Sequence, residues 1–168
     1  MRLSRVVIAG FAVLVVAVAA ASIPAPTRAN SPAPADEIVV DKSDREMYLL
    51  RDGRIIARIP IALGFAPDGH KRQEGDGRTP EGRYVLDWRN PNSKFYRSIH
   101  VSYPSADDRA EAARRGVSPG GEIFIHGTPP GAEFAQVDWT EGCIAVPNRA
   151  MDLIWNRVPD GTPILIRP

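Results

Sequence analysis

Short runs of apolar residues, separated by turn residues, make up most of the chain from residue 37 onward. Three of them come first: EIVVD at 37–41, REMYLLR at 45–51 and RIIARIPIAL at 54–63. Asp52 and Gly53, between the last two runs, predict a tight hairpin because both residue types suit two-residue hairpin turns. The same reasoning predicts five further strands, at residues 83–88, 97–103, 122–126, 143–146 and 162–167.

Two helices are predicted among these strands. Ser105 is a suitable N-cap and Gly116 a suitable end for the first, with two aspartates in its first turn and two arginines in its last turn, where each charge suits the helix dipole. The second is predicted from Pro147 to Val158. Its apolar residues at helical spacing are expected in the core: Met151, Ile154, Trp155 and Val158. The pattern indicates a mainly β domain with two flanking helices.

The N-terminus has the layout of a secretory signal. Arg2 and Arg5 precede an uncharged apolar run at residues 6–21, and cleavage after Ala21 or after Ala29 satisfies the small-residue rule. An uncleaved anchor is the alternative, although the run is slightly shorter than the roughly 20 residues that span a bilayer. Either interpretation predicts export to the periplasm or cell envelope, with membrane contact only through this segment.

The remaining chain divides into a spacer and a single domain. Residues 1–29 are assigned to the signal or anchor, and 30–36 to the end of a Pro/Ala-rich spacer outside the core. Residues 37–168 suffice for one domain. The three arginines of 1–29 leave 18 basic against 20 acidic residues for the rest, a net charge of −2, so no nucleic-acid partner is predicted. Residues 64–82 form a long polar loop, of a kind that is usually functional or mobile.

The candidate chemistry centres on Cys143, the only cysteine, in the stretch DWTEGCIAV at 138–146. Thiol catalysis requires a nearby base, donors for an oxyanion and an accessible sulfur. His126 ends one predicted strand and Cys143 begins another, so adjacent strands would bring the imidazole and the thiol together at the rim of a sheet. Gly142 would leave its amide and that of Cys143 free to bind an oxyanion, and Gly127 would let substrate approach the imidazole.

Structural alternatives exist for these residues. A single cysteine is often a small core residue, and a histidine at a strand end is often structural. Zinc bound by His70, His100, His126 and Cys143 is a further alternative, but no pair of them has the short spacing of a metal site. No metal is predicted.

Several motifs together resemble the L,D-transpeptidase catalytic domain. IFIHGT followed by DWTEGCIAV resembles the family's paired His-Gly and Ser/Thr-x-Gly-Cys segments, in the branch with Asp-Trp-Thr. The stretches GDGRTPEGRY, VSYPSADDRA, GVSPGGEIFIHG and VPDGTPILI are also similar to that family. The resemblance covers residues 37–168.

The resemblance implies a β barrel or sandwich that acts on peptidoglycan stem peptides without a cofactor. It assigns Cys143 as nucleophile and His126 as base, through a thioester that an amine or, in hydrolases, water then resolves. Gly142 and Cys143 would bind the oxyanion, and Thr140 would fix the turn. A non-catalytic wall-binding module is the alternative from another class.

Two residues depart from the commoner family pattern. Glu141 stands where many members have His, and because a carboxylate near sulfur opposes thiolate formation, it is expected to face away from Cys143 or toward a cation. Ala145 stands where many have Arg or Asn, which leaves open another specificity, including hydrolysis of the link between peptidoglycan and a bound lipoprotein.

The remaining candidates are substrate contacts. Asp138 and Trp139 are candidates for the acyl-donor groove, although Trp139 equally suits packing of the catalytic loop. Arg78, Lys71 and Arg97 are candidates for binding substrate carboxylates, with a solvated loop charge as the alternative for each.

Overall fold

The computed structural model describes residues 33–168, so the predicted signal or anchor and most of the predicted spacer lie outside the described part of the chain. The elements in chain order are β1 Glu37–Asp41, β2 Glu46–Arg51, β3 Arg54–Pro60, β4 Gly82–Asn90, β5 Ser98–Val101, α1 Ala106–Arg114, β6 Phe124–His126, β7 Ile144–Ala145, α2 Asn148–Arg157 and β8 Pro163–Arg167. All eight predicted strands and both predicted helices are confirmed, with changed ends. Within 33–168, neither helix is long and apolar enough to cross a membrane.

The eight strands form one sheet in the order β3-β2-β1-β8-β4-β5-β6-β7. The β1/β8 and β6/β7 pairs are parallel and the other neighbouring pairs are antiparallel. Beyond β3 the chain bonds back onto β7, where Ala62 and Ala145 exchange two backbone hydrogen bonds of 2.9 and 2.8 Å. The sheet therefore curls until its two ends meet, and the predicted mainly β fold with two helices is confirmed.

Two strands are shorter than the apolar pattern predicts, and each has a backbone reason. β3 ends at Pro60, which has no N–H to donate to the ladder. β6 begins only at Phe124, because Glu122 has a φ of 54°, outside the extended region. At the predicted hairpin, Asp52 and Gly53 have φ values of 50° and 71°, as that turn requires.

The helices begin and end close to their predicted residues. Ser105 caps α1: its side chain accepts from the Asp108 N–H at 3.2 Å, and the Asp108 carboxylate accepts from the Ser105 N–H at 2.8 Å. On α2, Met151 and Ile154 are fully buried, as predicted. Trp155 is only half-buried: it packs at the edge of the core, and the guanidinium groups of Arg89 and Arg97 lie over its ring.

The core extends two residues beyond its predicted N-terminal boundary at residue 37, to Ala35. Ala35 is 2% exposed, and its N–H donates to the Arg157 carbonyl at 2.7 Å. The Asp36 N–H donates to the Leu50 carbonyl at 2.9 Å. The prediction that the spacer stays outside the core is therefore wrong at its last residues. An alanine in a Pro/Ala-rich stretch carries no local signal of the long-range contact that buries it.

Candidate active site

A cavity of about 460 Å³ opens beside β6 and contains both Cys143 and His126. Its wall combines aromatic and polar side chains: Trp88, Asn90, Asn92, Ser93, Lys94, Phe95, Ser98, Glu122 and Phe124. The structure thus brings the two chemically reactive side chains singled out from the sequence to one solvent-accessible space.

The pairing of β6 with β7 sets the relation between these two residues. The strands are adjacent, but they run parallel, with Ile125 opposite Ile144 and His126 opposite Ala145. By the same register, Cys143 lies level with Phe124, two residues before the position opposite His126. Because side chains alternate along a strand, positions two residues apart share a face. The imidazole and the sulfur therefore lie diagonally across the two strands.

His126 is buried, at 3% exposure, and held in one tautomer. Its Nδ1 lies 2.6 Å from the Gly127 carbonyl oxygen. A carbonyl only accepts, so Nδ1 carries the proton and Nε2 is left with a free lone pair. The rings of Phe95 and Trp139, with centroids 4.6 and 5.7 Å away, pack around the imidazole. Burial lowers the pKa of His126, so the neutral base is the resting form at neutral pH.

Cys143 is half-buried, and its Sγ lies 3.5 Å from the Glu122 carbonyl oxygen. Burial raises the pKa of the thiol, while the Phe124 backbone N–H and the charge of Lys71 act in the opposite direction. The Glu122 and Glu141 charges raise it further. The resting pair is therefore a neutral thiol and a neutral imidazole, and the proton has to move when the sulfur attacks.

Thr140 holds the turn that carries the sulfur. Its Oγ1 donates to the Cys143 carbonyl at 2.7 Å and accepts from the Gly142 N–H at 3.2 Å. Gly142 has a φ of 129°, and a Cβ there would lie 2.6 Å from the Arg78 carbonyl, so only glycine fits. Because the Gly142 N–H already has an acceptor in Thr140, it can bind an oxyanion only by sharing or leaving that bond.

Gly127 has a packing role in place of the predicted one. A Cβ at this position would lie 2.3 Å from Asn148 Oδ1, so protein atoms fill the space where substrate was expected to approach. The contribution of Gly127 to the site is its carbonyl, which orients His126.

Asp138 and Trp139 also stabilise the turn. Asp138 accepts two hydrogen bonds from Arg45, at Nε (2.9 Å) and Nη2 (2.7 Å), and a third from the Leu63 N–H at 2.8 Å. Its carboxylate is so engaged and lies outside the cavity lining, and the contact of Asp138 with substrate stays a prediction. The Trp139 N–H donates to the Leu63 carbonyl at 3.1 Å, and its ring packs on His126, which supports the loop-packing alternative.

Replacing Asp138 with alanine is expected to destabilise the domain by about 2 to 3 kcal/mol, since it leaves the half-buried Arg45 and the Leu63 N–H without their partner. Thermal unfolding should show a Tm lower by roughly 8 °C. The control is Glu111→Ala, which breaks an exposed ion pair with Arg114 and should cost at most about 0.5 kcal/mol. Equal Tm losses in the two variants would contradict the stabilising role of the Arg45–Asp138 pair.

The three basic side chains considered for binding substrate carboxylates lie in environments that differ from the predicted ones. Arg97 binds Asp152 at 3.0 Å and lies over Trp155, away from the cavity lining. Lys71 is not a solvated loop charge: it is 3% exposed, and its Nζ lies 2.9 Å from Asp76 Oδ1. Arg78 lines a separate cavity. None of these three side chains lines the cavity that holds Cys143.

Sequence reasoning missed one wall of the cavity, residues 88–98. Trp88, Phe95 and Ser98 line the space, and Ser98 lies directly opposite His126 in the β5/β6 pairing. The stretch RNPNSKFY at 89–96, a turn sequence followed by aromatic residues, is the signal from which this wall could have been found.

The histidines considered for zinc are held apart by other partners. His70 accepts from the Glu81 N–H at 3.0 Å and contacts Asp108, and His100 contacts Asp87 at 2.7 Å. In the described part of the chain, no three His, Cys, Asp or Glu side chains are grouped so that they could hold a metal ion.

The two departures from the family pattern lie on either side of the sulfur. Glu141 is exposed and has no ion-pair partner within residues 33–168. Its charge still contributes to the raised pKa of Cys143, so the predicted orientation away from the sulfur stays a prediction. Ala145 is fully buried beside His126, where it places a methyl group in the position of the commoner Arg or Asn.

Comparison with known proteins decides the family. The model of the L,D-transpeptidase catalytic domain, YkuD, matches residues 35–166. The chain belongs to this family. It is 31% identical over 116 residues to YafK of Escherichia coli (strain K12), whose own assignment as an L,D-transpeptidase is provisional; the match covers 67% of this chain and 39% of YafK.

Solved L,D-transpeptidase-like structures share the fold. The helical cell shape determining protein Pgp2 from Campylobacter jejuni superposes with a TM-score of 0.63 at 26% identity, covering 81% of this chain and 48% of that one. An L,D-transpeptidase from Xylanimonas cellulosilytica superposes with a TM-score of 0.54 at 17% identity, covering 82% and 62%. The chain thus spans less than half the length of YafK and of Pgp2.

Proposed function

We propose that this L,D-transpeptidase-family domain cleaves peptidoglycan stem peptides through a cysteine thioester and transfers the acyl group to an amine. The observation that carries the proposal is the shared cavity of Cys143 and His126, with His126 fixed so that Nε2 is free to accept a proton. The exported location predicted from the N-terminus fits a wall substrate.

The first half-reaction uses the neutral pair. As Sγ of Cys143 attacks the peptide carbonyl carbon, its proton passes to Nε2 of His126, and the carbonyl electrons move onto oxygen. The resulting imidazolium then gives that proton to the departing amine, and the carbon–nitrogen bond breaks to leave the thioester. The second half-reaction reverses these roles, with the acceptor amine losing its proton to Nε2 and the thiol recovering it.

The oxyanion is assigned first to the Cys143 N–H, which adjoins the attacking sulfur. The Gly142 N–H is the second donor, and it reaches the oxyanion only by loosening its 3.2 Å bond to Thr140 Oγ1. Thr140 keeps its other bond, to the Cys143 carbonyl, so the turn stays closed while the donor is shared.

Hydrolysis of the same class of bond, including release of a wall-linked lipoprotein, is the second candidate. The observation in its favour is Ala145, whose methyl group lies beside His126 and offers no polar contact to a second peptide. Water needs no such contact to reach the thioester.

The test is product analysis by mass spectrometry of the wild-type chain with defined disaccharide tetrapeptides. One reaction also contains a free D-amino acid as acceptor. Another reaction uses peptidoglycan with bound lipoprotein as the substrate. Exchanged termini or dimers are expected and indicate transfer. Shortened peptides or released lipoprotein peptide, without exchange, would replace the transferase proposal by the hydrolase, and no product from any substrate would overturn both.

A further inference from the structure

Unpaired positive charge is concentrated around a second cavity, of about 280 Å³. Arg72, Arg78 and Arg115 line it together with Ala66, Gln73 and Asp76. Within residues 33–168, no carboxylate oxygen lies within ion-pair distance of these three guanidinium groups, although most other arginines have such a partner: Arg45, Arg51, Arg58, Arg83, Arg89, Arg97, Arg114 and Arg167. The cluster is notable in a region whose net charge is −2.

The acid in this cavity does not neutralise the arginines. Asp76 Oδ1 accepts from Lys71 Nζ at 2.9 Å and from the Arg78 N–H at 3.1 Å. Its Oδ2 accepts from the Arg72 and Gln73 N–H groups at 2.7 and 3.1 Å. Asp76 is thus paired with a buried lysine and serves to fold the loop.

Two of the guanidinium groups are held in place by neutral acceptors only. Arg115 donates to the Arg72 carbonyl and to Gln73 Oε1, each at 3.3 Å, and Arg78 donates to the His70 carbonyl at 3.5 Å. These long hydrogen bonds hold the two side chains in place and leave other guanidinium N–H groups free to bind a ligand. Guanidinium donors arranged around one space suit an oxyanion, above all a carboxylate, which arginine binds through two parallel bonds.

The cavity adjoins the turn that carries the thiol. The Arg78 carbonyl lies against Gly142, the residue before Cys143. On the other side, Ala66 follows Phe65, whose N–H donates to the Thr140 carbonyl at 2.8 Å. Arg78 therefore links the two places, because its side chain lines the second cavity and its carbonyl packs against the turn that carries the thiol.

We propose that Arg72, Arg78 and Arg115 bind a carboxylate of the peptide whose acyl group reacts with Cys143. This inference rests on the proposed function for the identity of the ligand, while the presence of an anion site rests on the cavity alone. The arginines act in binding and take no part in the chemistry at the sulfur.

The test measures binding in the full chain carrying Cys143→Ala, so that no turnover occurs. A free-acid stem peptide should bind at least about tenfold more weakly when Arg72→Gln and Arg115→Gln are added, since each lost charged hydrogen bond matters on that scale. The same peptide with its carboxylates amidated should bind the parent chain as weakly. Arg83→Gln changes an exposed arginine that lines neither cavity, so it is the matched control and should leave the affinity within about twofold.

Each of the following outcomes would overturn the proposal: equal affinities for the acid and amidated peptides, an equal loss from Arg83→Gln, or inorganic phosphate that binds more tightly than the peptide and displaces it. Alkylation of Cys143 by neutral iodoacetamide, in chains that retain the cysteine, should be unchanged by the arginine substitutions and shows that the fold is intact. Absence of an acyl-enzyme together with arginine-dependent peptide binding would refute the proposed catalysis and support this site. Normal acyl-enzyme formation with arginine-independent binding would refute this site alone.

Discussion

Cys143→Ala should reduce peptide turnover to background, a loss on the order of 10⁶-fold, since removal of the nucleophile from a protease has an effect of that size. Because Cys143 is only half-buried, the Tm of this variant should stay close to that of the wild type. The measurements are the initial rate of product formation and the intact mass after treatment with a carbapenem, which should add to the wild-type chain and not to the variant.

A control separates loss of the nucleophile from loss of the fold. Arg83→Gln changes an exposed residue outside the lining of both cavities and should retain wild-type turnover and the carbapenem adduct. Product patterns that are the same for wild type and Cys143→Ala would rule out the thioester and leave the wall-binding module as the remaining interpretation.

His126→Gln should lower turnover by about 10³- to 10⁴-fold, because the variant has no group that can take the thiol proton and return it to the leaving amine. The pH profile of the wild type tests the same group. Burial lowers the pKa of His126, so turnover should persist as the pH falls through the ordinary imidazole value of about 6.5 and decline only below it, when Nε2 becomes protonated. The acid limb should be absent from the residual activity of the variant.

The pH dependence of Cys143 alkylation is a second test of the neutral resting pair of thiol and imidazole. Burial raises the pKa of Cys143, so alkylation by iodoacetamide should continue to increase above the ordinary thiol value of about 8.5. A plateau of alkylation below pH 7 in the wild type would instead show a preformed thiolate–imidazolium pair, and would contradict the neutral resting pair.

The fold was largely predictable because its signals are local. The Asp52-Gly53 turn and the Ser105 cap each depend on residues within a few positions of one another. The pairing of Cys143 with His126 was predictable from glycines beside both residues and from the family resemblance. What the sequence did not reveal was that β6 and β7 run parallel, since strands of three and two residues carry no pattern that distinguishes the two directions.

Two charged residues near the site have partners in the fold that their local sequence did not reveal. Asp138 was a candidate for substrate contact, and its partner Arg45 lies 93 residues before it. Lys71 was a candidate for substrate carboxylates with a solvated loop charge as the alternative, and the fold buries it beside Asp76. A charged residue near a reactive thiol has the same local sequence whether it binds substrate or another element of the fold, so only the tertiary structure distinguishes these roles.

The closure between Ala62 and Ala145 restricts how substrate can be recognised. β7 is hydrogen-bonded to β6 on one side and to the chain beyond β3 on the other, so neither side presents a free row of backbone donors and acceptors beside the sulfur. Many proteases and peptide-binding domains hold their ligands as an added strand at such an edge. Here that mode is blocked at β7, and recognition of the proposed peptide substrate falls to the side chains of the cavity.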